Sequence, residues 1–369
     1  MSTDPTVNPY AAVPFHFWTG TFFVFGAMVG SFLNVCIHRM PRDMSVVHPR
    51  SHCPSCEYSI PMLLNIPIIT WLVLGGRCAN CKAPISARYF LVEAMTGGVF
   101  AACWVAFGTV SLGLSIALCV LMAGLIVSTF IDFEHFIIPD QITIGGCFAG
   151  LIASAIVPEL HRLETMREGL TAGAIGLAVG GGSVYAVLRF GKLLFGRYNI
   201  DLEPGQKMVF TDMELVLPDK SIPYGEFFVR KNDCIEFHAD RLEMSDRCFW
   251  DEDVRISATH MTVGDEEFDP EPITFMEAVT DTVNLPREAM GFGDVKFMAA
   301  IGAFLGWHAV VFSLIVSSLL GSLVGVSLIL IGRREWSSRL PYGPYIAAAA
   351  IIWIFFSDVI VARLAASPL

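Results

Sequence analysis

The chain has 369 residues, 54% hydrophobic and only 16% charged, with a mean hydropathy of +0.59. That excludes a soluble enzyme with an ordinary polar surface and points to a protein with several spans in a lipid bilayer. The net charge of −11 is unevenly placed: residues 199–285 hold 21 Asp and Glu against 7 Lys and Arg, the remainder 14 against 17, and an acidic segment without a basic patch excludes nucleic-acid binding.

Apolar runs long enough to cross a ~30 Å hydrocarbon core lie near 14–37, 89–108, 112–131, 138–157, 169–190, 308–331 and 343–364. A shorter eighth run goes from Asp294 to Gly306. The sequence therefore predicts a polytopic α-helical membrane protein with about eight transmembrane helices. The leader before the first run contains no Lys or Arg and carries Asp4, unlike a cleaved signal peptide, so residues 1–38 are read as a retained transmembrane anchor.

Residues 39–88 form a polar loop with Cys53-x-x-Cys56 and, after 21 intervening residues, Cys78-x-x-Cys81. Four thiolates at this spacing suit tetrahedral zinc in a ribbon-like domain. The competing readings are two disulfides or unpaired thiols, and a reducing cytoplasmic side argues against the disulfides. His52 adjoins the first knuckle without being assigned as a ligand. Cys36, Cys103, Cys119, Cys147, Cys234 and Cys248 show no ligand spacing and are read as packing residues.

Residues 89–198 carry the next four runs. One ends in Asp132, and Pro139, a good first helical residue, opens the next with Asp140 beside it. Glu134 and His135 fall in the turn between and are read as solvated. Gly173, Gly176, Gly180, Gly181 and Gly182 read as points of close helix approach rather than a phosphate loop, because no strand precedes them.

Lys and Arg near the span ends set orientation. Arg39, Arg42, Arg50, Arg77, Lys82 and Arg88, then Arg189, Lys192 and Arg197, then Arg333, Arg334 and Arg339 fall on one side of an eight-span chain, leaving Arg162, Arg167 and Arg363 opposite. Both termini are thus expected outside the cytoplasm, with Asp132, Asp140 and Asp294 at the cytoplasmic face. The acidic insert, 199–285, changes character: alternating segments at 207–217, 226–230, 234–238 and 254–262, with turns at Pro218-Asp219 and 230–233, predict a small soluble β-meander or barrel. It reads as an accessory insertion.

Residues 286–369 open on Met290-Gly291-Phe292-Gly293-Asp294-Val295-Lys296. A carboxylate at the mouth of a membrane segment is costly to bury, and its default reading is functional. Asp132 and Asp294, on separate helices at one face, can share a proton and hold a water, one acid neutral and the other ionised. That is the chemistry of aspartic peptide hydrolysis. Gly291 and Gly293 are expected to allow irregular backbone beside an extended substrate. Two other classes compete. An ion or proton transporter using Asp132, Asp140 and Asp294 as a relay would need acids near mid-membrane, whereas these map to one face. A non-catalytic zinc-ribbon membrane assembly factor would leave the acid pair unexplained.

Six pieces in this order resemble the bacterial prepilin peptidases (type IV leader peptidases), members of the Gly-x-Gly-Asp intramembrane aspartic proteases. They are Gly30 to Pro41, the two Cys-x-x-Cys knuckles, Ala83 to Ala94, Ile131-Asp132 through Ile138-Pro139-Asp140, Glu288 to Lys296, and Leu340 to Pro344. The resemblance implies an inner-membrane enzyme that cleaves the short basic leader of type IV prepilins and pseudopilins after a Gly, at the cytoplasmic face. In many members N-methylation of the new N-terminus from S-adenosylmethionine follows. It also implies that Asp132 and Asp294 are catalytic and that Cys53, Cys56, Cys78 and Cys81 bind zinc in the domain linked to methyl transfer. Asp140, Gly291, Gly293 and Lys296 would support the site. Two features depart from the family pattern: the acidic insert, where a short loop is expected, and Arg77, where many members have Lys.

Overall fold

The computed structural model describes residues 14–195, 197–203, 205–211, 214–218, 221–224, 233–257, 259–269, 275–286, 291–331 and 340–366. The leader before residue 14, Asp219, the expected strand 226–230, most of the turn after it, residues 288–290, and Arg333, Arg334 and Arg339 lie outside the described residues. The chain divides into two compact units, one made of Met1–Tyr185 and Gly291–Leu369, the other of Ala186–Met290.

Helices dominate the first unit: α1 (Phe15–Arg39), α2 (Ile69–Val73), α3 (Ala87–Phe107), α4 (Leu112–His135), α5 (Asp140–Ile156), α6 (Met166–Phe195, which runs on into the second unit), α7 (Phe292–Leu330) and α8 (Gly343–Ala366). Among the described residues six of them, α1, α3, α4, α6, α7 and α8, are long and apolar enough to cross a membrane, and α5 is apolar but shorter at 17 residues. Local chemistry sets several ends. The Ser86 hydroxyl accepts from Arg88 N at 3.2 Å to start α3, and Ser111 accepts from Leu114 N to start α4, as N-cap side chains do. Phe136 stops α4 in the left-handed region, its N–H bonded to Asp132 O. Pro139 stands one place earlier than expected: it is the cap of α5, and Asp140 is the first helical residue.

α7 is 39 residues long but not one straight rod, because at Gly306 the backbone leaves helical values (φ 78, ψ 174). The expected short run to Gly306 and the following run are thus the two arms of a broken helix. α6 approaches the first arm very closely: a methyl on Gly176 would drive into the Gly302 carbonyl.

A buried polar network holds the break. The Ser154 hydroxyl donates to Ala303 O at 2.7 Å, within the turn before Gly306, where helix carbonyls lose their regular partners. His161 Nε2 lies 2.7 Å from the same hydroxyl. Since the hydroxyl's one proton goes to Ala303, the imidazole N–H is the donor in that bond, and burial pushes His161 below its ordinary pKa, which favours the neutral ring. Ser154→Ala takes a hydrogen-bond partner from the buried Ala303 carbonyl and from the half-buried His161 N–H, so the protein in detergent is expected to lose roughly 1–3 kcal/mol of stability. A thermal midpoint equal to the parent's would refute this role.

The second unit contains β1 (Arg197–Asp201), β2 (Lys207–Phe210), β3 (Glu214–Val216), β4 (Ser221–Pro223), β5 (Cys234–Met244), β6 (Cys248–Ser257), β7 (Met261–Val263), β8 (Glu266–Phe268), β9 (Met276–Val279) and β10 (Thr282–Pro286). All pairings are antiparallel, and the path runs β4-β3-β2-β9-β5-β6-β7-β8, with β10 joining β1 to β5. Neither a pure meander nor a closed barrel forms among the described residues, because β9 and β10 lie between β5 on one side and β2 and β1 on the other. The expected segment 207–217 is a hairpin of β2 and β3, and 254–262 spans the turn from β6 to β7. Ile235, Phe237 and Ala239 of β5, and after a one-residue shift in the alternation Leu242 and Met244, enter a core with Met208, Leu215, Val254, Met276 and Val283. The first and last strands pair with each other, Arg197 opposite Pro286 and Asp201 opposite Thr282.

Candidate active site

Three helix ends supply the site. Asp132 occupies the last turn of α4 and Asp294 the first turn of α7, and both are nearly buried, at 5% and 8% exposure. The two carboxylates are near enough to interact electrostatically. α8 contributes backbone: Gly343 N donates to Asp132 Oδ2 at 2.8 Å. Gly343 is the first residue of α8, so this N–H has no partner inside its own helix and carries the positive end of the helix dipole. A methyl on Gly343 would lie 2.8 Å from the same carboxylate oxygen, so a side chain there collides with the contact it serves.

Gly291 and Gly293 do not provide the irregular backbone expected of them. Gly291 is the cap of α7 with ordinary extended angles, and Gly293 is already helical. The helix starts at once because its first N–H groups need no internal partner. What Gly293 gives instead is closeness: an added methyl would touch Ile138, at 3.4 Å from its Cβ and 3.5 Å from its carbonyl. Ile138 is buried and also lies 3.1 Å from where a Gly343 methyl would be. The segment after α4 is therefore the spacer against which α7 and α8 seat. Sequence reasoning assigned no role to Ile138 or Gly343; the signal available was Pro341-Tyr342-Gly343-Pro344 directly ahead of the last apolar run.

Asp140 stands apart from the buried pair. Its side chain is 61% exposed and forms an ion pair with Lys296, which also sits 5.3 Å from the centre of the Phe292 ring. Together they clip the start of α5 to the first turns of α7. Glu134 is not simply solvated: it pairs with Arg88 and joins the start of α3 to the end of α4.

The four cysteines converge. The sulfurs of Cys53, Cys56, Cys78 and Cys81 all lie within 4.8 Å of one another. Each knuckle is built the same way. The first Cys N–H bonds to the carbonyl five residues on (Cys53 to Tyr58, 3.0 Å; Cys78 to Ala83, 2.9 Å), and the residue four after it, Glu57 or Lys82, takes positive φ. N–H groups of Cys81 and Asn80 hold the Cys78 thiol down to about 6, and the Tyr58 N–H lowers Cys56. Four sulfurs at this mutual distance, with amide donors favouring the thiolate at Cys56 and Cys78 while the neighbouring sulfurs push Cys81 up in the absence of a cation, fit a tetrahedral metal such as zinc. The loop is tied to the helices as well. The buried Arg39 donates to Ser45 O at 2.9 Å and Pro49 O at 2.7 Å, and Ile68 N donates to the buried Glu93 carboxylate of α3 at 2.7 Å.

Residues 24–107 match the family model of the bacterial peptidase A24 N-terminal domain. Residues 119–197 and 274–326 match that of the type IV leader peptidase family, whose two matched blocks carry Asp132 and Asp294 and leave most of the β-rich unit between them. The chain is similar to the prepilin leader peptidase/N-methyltransferase of Aeromonas hydrophila, 28% identical over 362 residues that cover 91% of this chain and 90% of the relative. It is similar to that of Pseudomonas aeruginosa, 24% identical over 380 residues covering 96% and 95%. To the protein so named in Myxococcus xanthus it is 38% identical over 193 residues, 47% of this chain and 56% of the relative. No solved structure matches the chain.

Proposed function

This chain belongs to the type IV leader peptidase family, and from that premise we propose that it is an aspartic endopeptidase of the bacterial inner membrane. Its substrates are type IV prepilins and pseudopilins, cut at the cytoplasmic face. The observation that carries the reading is the nearly buried pair Asp132 and Asp294 at neighbouring helix ends of a multi-pass membrane protein. Two like charges so placed cannot both ionise easily, so one acid keeps its proton. Asp132, receiving the Gly343 N–H and the N-terminal dipole of α8, is the ionised member and Asp294 the protonated one. Asp132 takes a proton from a water held between them, the hydroxyl adds to the scissile carbonyl carbon, and Asp294 protonates the developing oxyanion. Collapse breaks the C–N bond as the amine takes up a proton, releasing leader and mature chain. A proton relay is disfavoured, since Asp132, Asp140 and Asp294 all lie at helix ends rather than stepping through the bundle.

Cys53, Cys56, Cys78 and Cys81 would hold zinc, which would supply a structural cross-link between the knuckles. The relatives' name joins an N-methyltransferase to the peptidase. S-adenosylmethionine would supply that methyl group, and we place the activity in the half of the chain that contains the cysteine loop. Mass spectrometry of a prepilin incubated with the protein in liposomes tests both activities. Loss of the leader mass, and one added methyl when S-adenosylmethionine is present, are expected. An uncut precursor would overturn the peptidase reading.

A further inference from the structure

The stretch between Glu57 and Arg77 contains no charged residue, yet it belongs to the loop that carries the cysteine knuckles. Three contacts fix where it lies. Ile68 N donates to Glu93 Oε2 at 2.7 Å, the Trp71 ring is centred 5.2 Å from the Phe90 ring, and Ile85 N donates to Gly76 O at 2.7 Å. As the chain advances from 68 through 71 to 76, its partners step back from 93 through 90 to 85. Residues 68–76 therefore run antiparallel to the start of α3, with Ile68 innermost. Glu93 stands six residues beyond Ala87, the first residue of α3, which is about 9 Å along the axis at the helical rise. It also lies past Arg88, whose ion pair with Glu134 marks the polar end of the helix. Since α3 is long and apolar enough to cross a membrane, Ile68 sits beneath the headgroups at the depth of hydrocarbon.

We propose that residues 60–76 are a re-entrant hairpin whose apolar face is covered by lipid acyl chains and whose innermost turn is anchored by Glu93. The backbone fits that depth. Irregular backbone inside a membrane is tolerated only where its polar groups find partners in the protein. Here the N–H groups of Ile69, Thr70, Leu72 and Leu74 bond to carbonyls of residues 66–70, Pro67 has no N–H, and that of Ile68 takes the Glu93 carboxylate. This gives a partner to an acid only 8% exposed in the second turn of a membrane helix, where ionisable side chains are costly. The turn is strained as well: Ile68, a β-branched residue, holds φ 65, a conformation that persists where the surroundings over-determine it. The side chains fit too. Ile66, Ile69, Leu72 and Val73 are exposed, as is Leu91 of α3 at the same depth, and such a face is costly in water. Trp71 points the way out: its ring packs on Phe90 while its Nε1 donates to Ile85 O at 3.3 Å, the placement of an interfacial tryptophan. The knuckles flank the hairpin in sequence, Cys56 before it and Cys78 after it, so the four sulfurs are held close to the headgroups rather than on a free cytoplasmic arm.

The test uses the full chain in liposomes and reads depth, not cleavage, so its failure leaves the peptidase reading untouched. A small fluorescent amino acid is placed at Ile69, with the same residue at Leu91 as the lipid reference and at the exposed Ser55 of the first knuckle as the water reference. In vesicles whose acyl chains carry bromine, the loss of fluorescence at Ile69 is expected to equal that at Leu91. Quenching nearer to that at Ser55 overturns the hairpin. A photo-reactive residue at Leu72 identifies the neighbour: adducts with acyl chains are expected, whereas adducts with another part of the protein or with a second copy would put a protein contact in place of lipid and sink the proposal. Glu93→Leu is expected to lose much of the quenching at Ile69, and Glu93→Gln, which keeps an oxygen for the Ile68 N–H, to retain it. Equal quenching in the two variants would remove Glu93 as the anchor.

Discussion

Asp294→Asn, and separately Asp132→Asn, are expected to lower leader cleavage by at least about 1,000-fold, within the range seen when a positioned acid or base is removed, while the protein still inserts and melts as before. The second half of that expectation comes from the contacts. Asn at 132 keeps an oxygen to accept the Gly343 N–H, so α8 stays seated. Asn at 132 removes the one buried charge, and Asn at 294 replaces a neutral acid with a neutral amide of the same shape, so neither adds a desolvation cost; the midpoint should hold or rise. Asp132→Ala separates the two roles, because it also orphans the Gly343 donor and should lower stability as well as activity. Cleavage assays alongside thermal scans read both effects. An Asn variant that retains a tenth of the parent rate would remove that acid from the chemistry.

The second large effect is expected at the cysteines. Cys53→Ser or Cys78→Ser should abolish zinc binding and expose the loop 39–88 to proteolysis. Without metal the two knuckles hold four sulfurs together and have little apolar core of their own, and structural zinc in small sites of this kind contributes ~10–16 kcal/mol to folding. Cys248→Ser, on the exposed end of a strand, is the control and should keep its metal. Metal analysis and limited proteolysis check the pair of outcomes, and full zinc in Cys78→Ser would refute a four-thiolate site.

What the sequence made legible was local or carried by a costly residue. Apolar runs announce membrane helices, an acid at the end of such a run draws suspicion because burial is expensive, and paired Cys-x-x-Cys units announce each other by spacing. Other features needed three dimensions. Gly343 reaches Asp132 across 211 positions, and no local pattern reports a backbone N–H as a partner. Residue type alone suggests irregular backbone at Gly291 and Gly293, yet among the described residues the glycine of α7 with positive φ is Gly306. The turn between β2 and β3 contains no glycine or proline, so nothing divided 207–217 into two strands.

The pairing of β1 with β10 has a consequence for chain statistics. A flexible excursion of the length between Arg197 and Pro286 would cost the membrane fold on the order of 4 kcal/mol in closure entropy, felt at the very helix that presents Asp294. Because the outgoing and returning strands are cross-linked by their own ladder, that cost is met inside the β unit. At its root the excursion behaves like a tight hairpin. Changes in the length or sequence of its distal parts are therefore thermodynamically silent at the acid pair, and such a branch can be acquired without re-tuning the membrane helices.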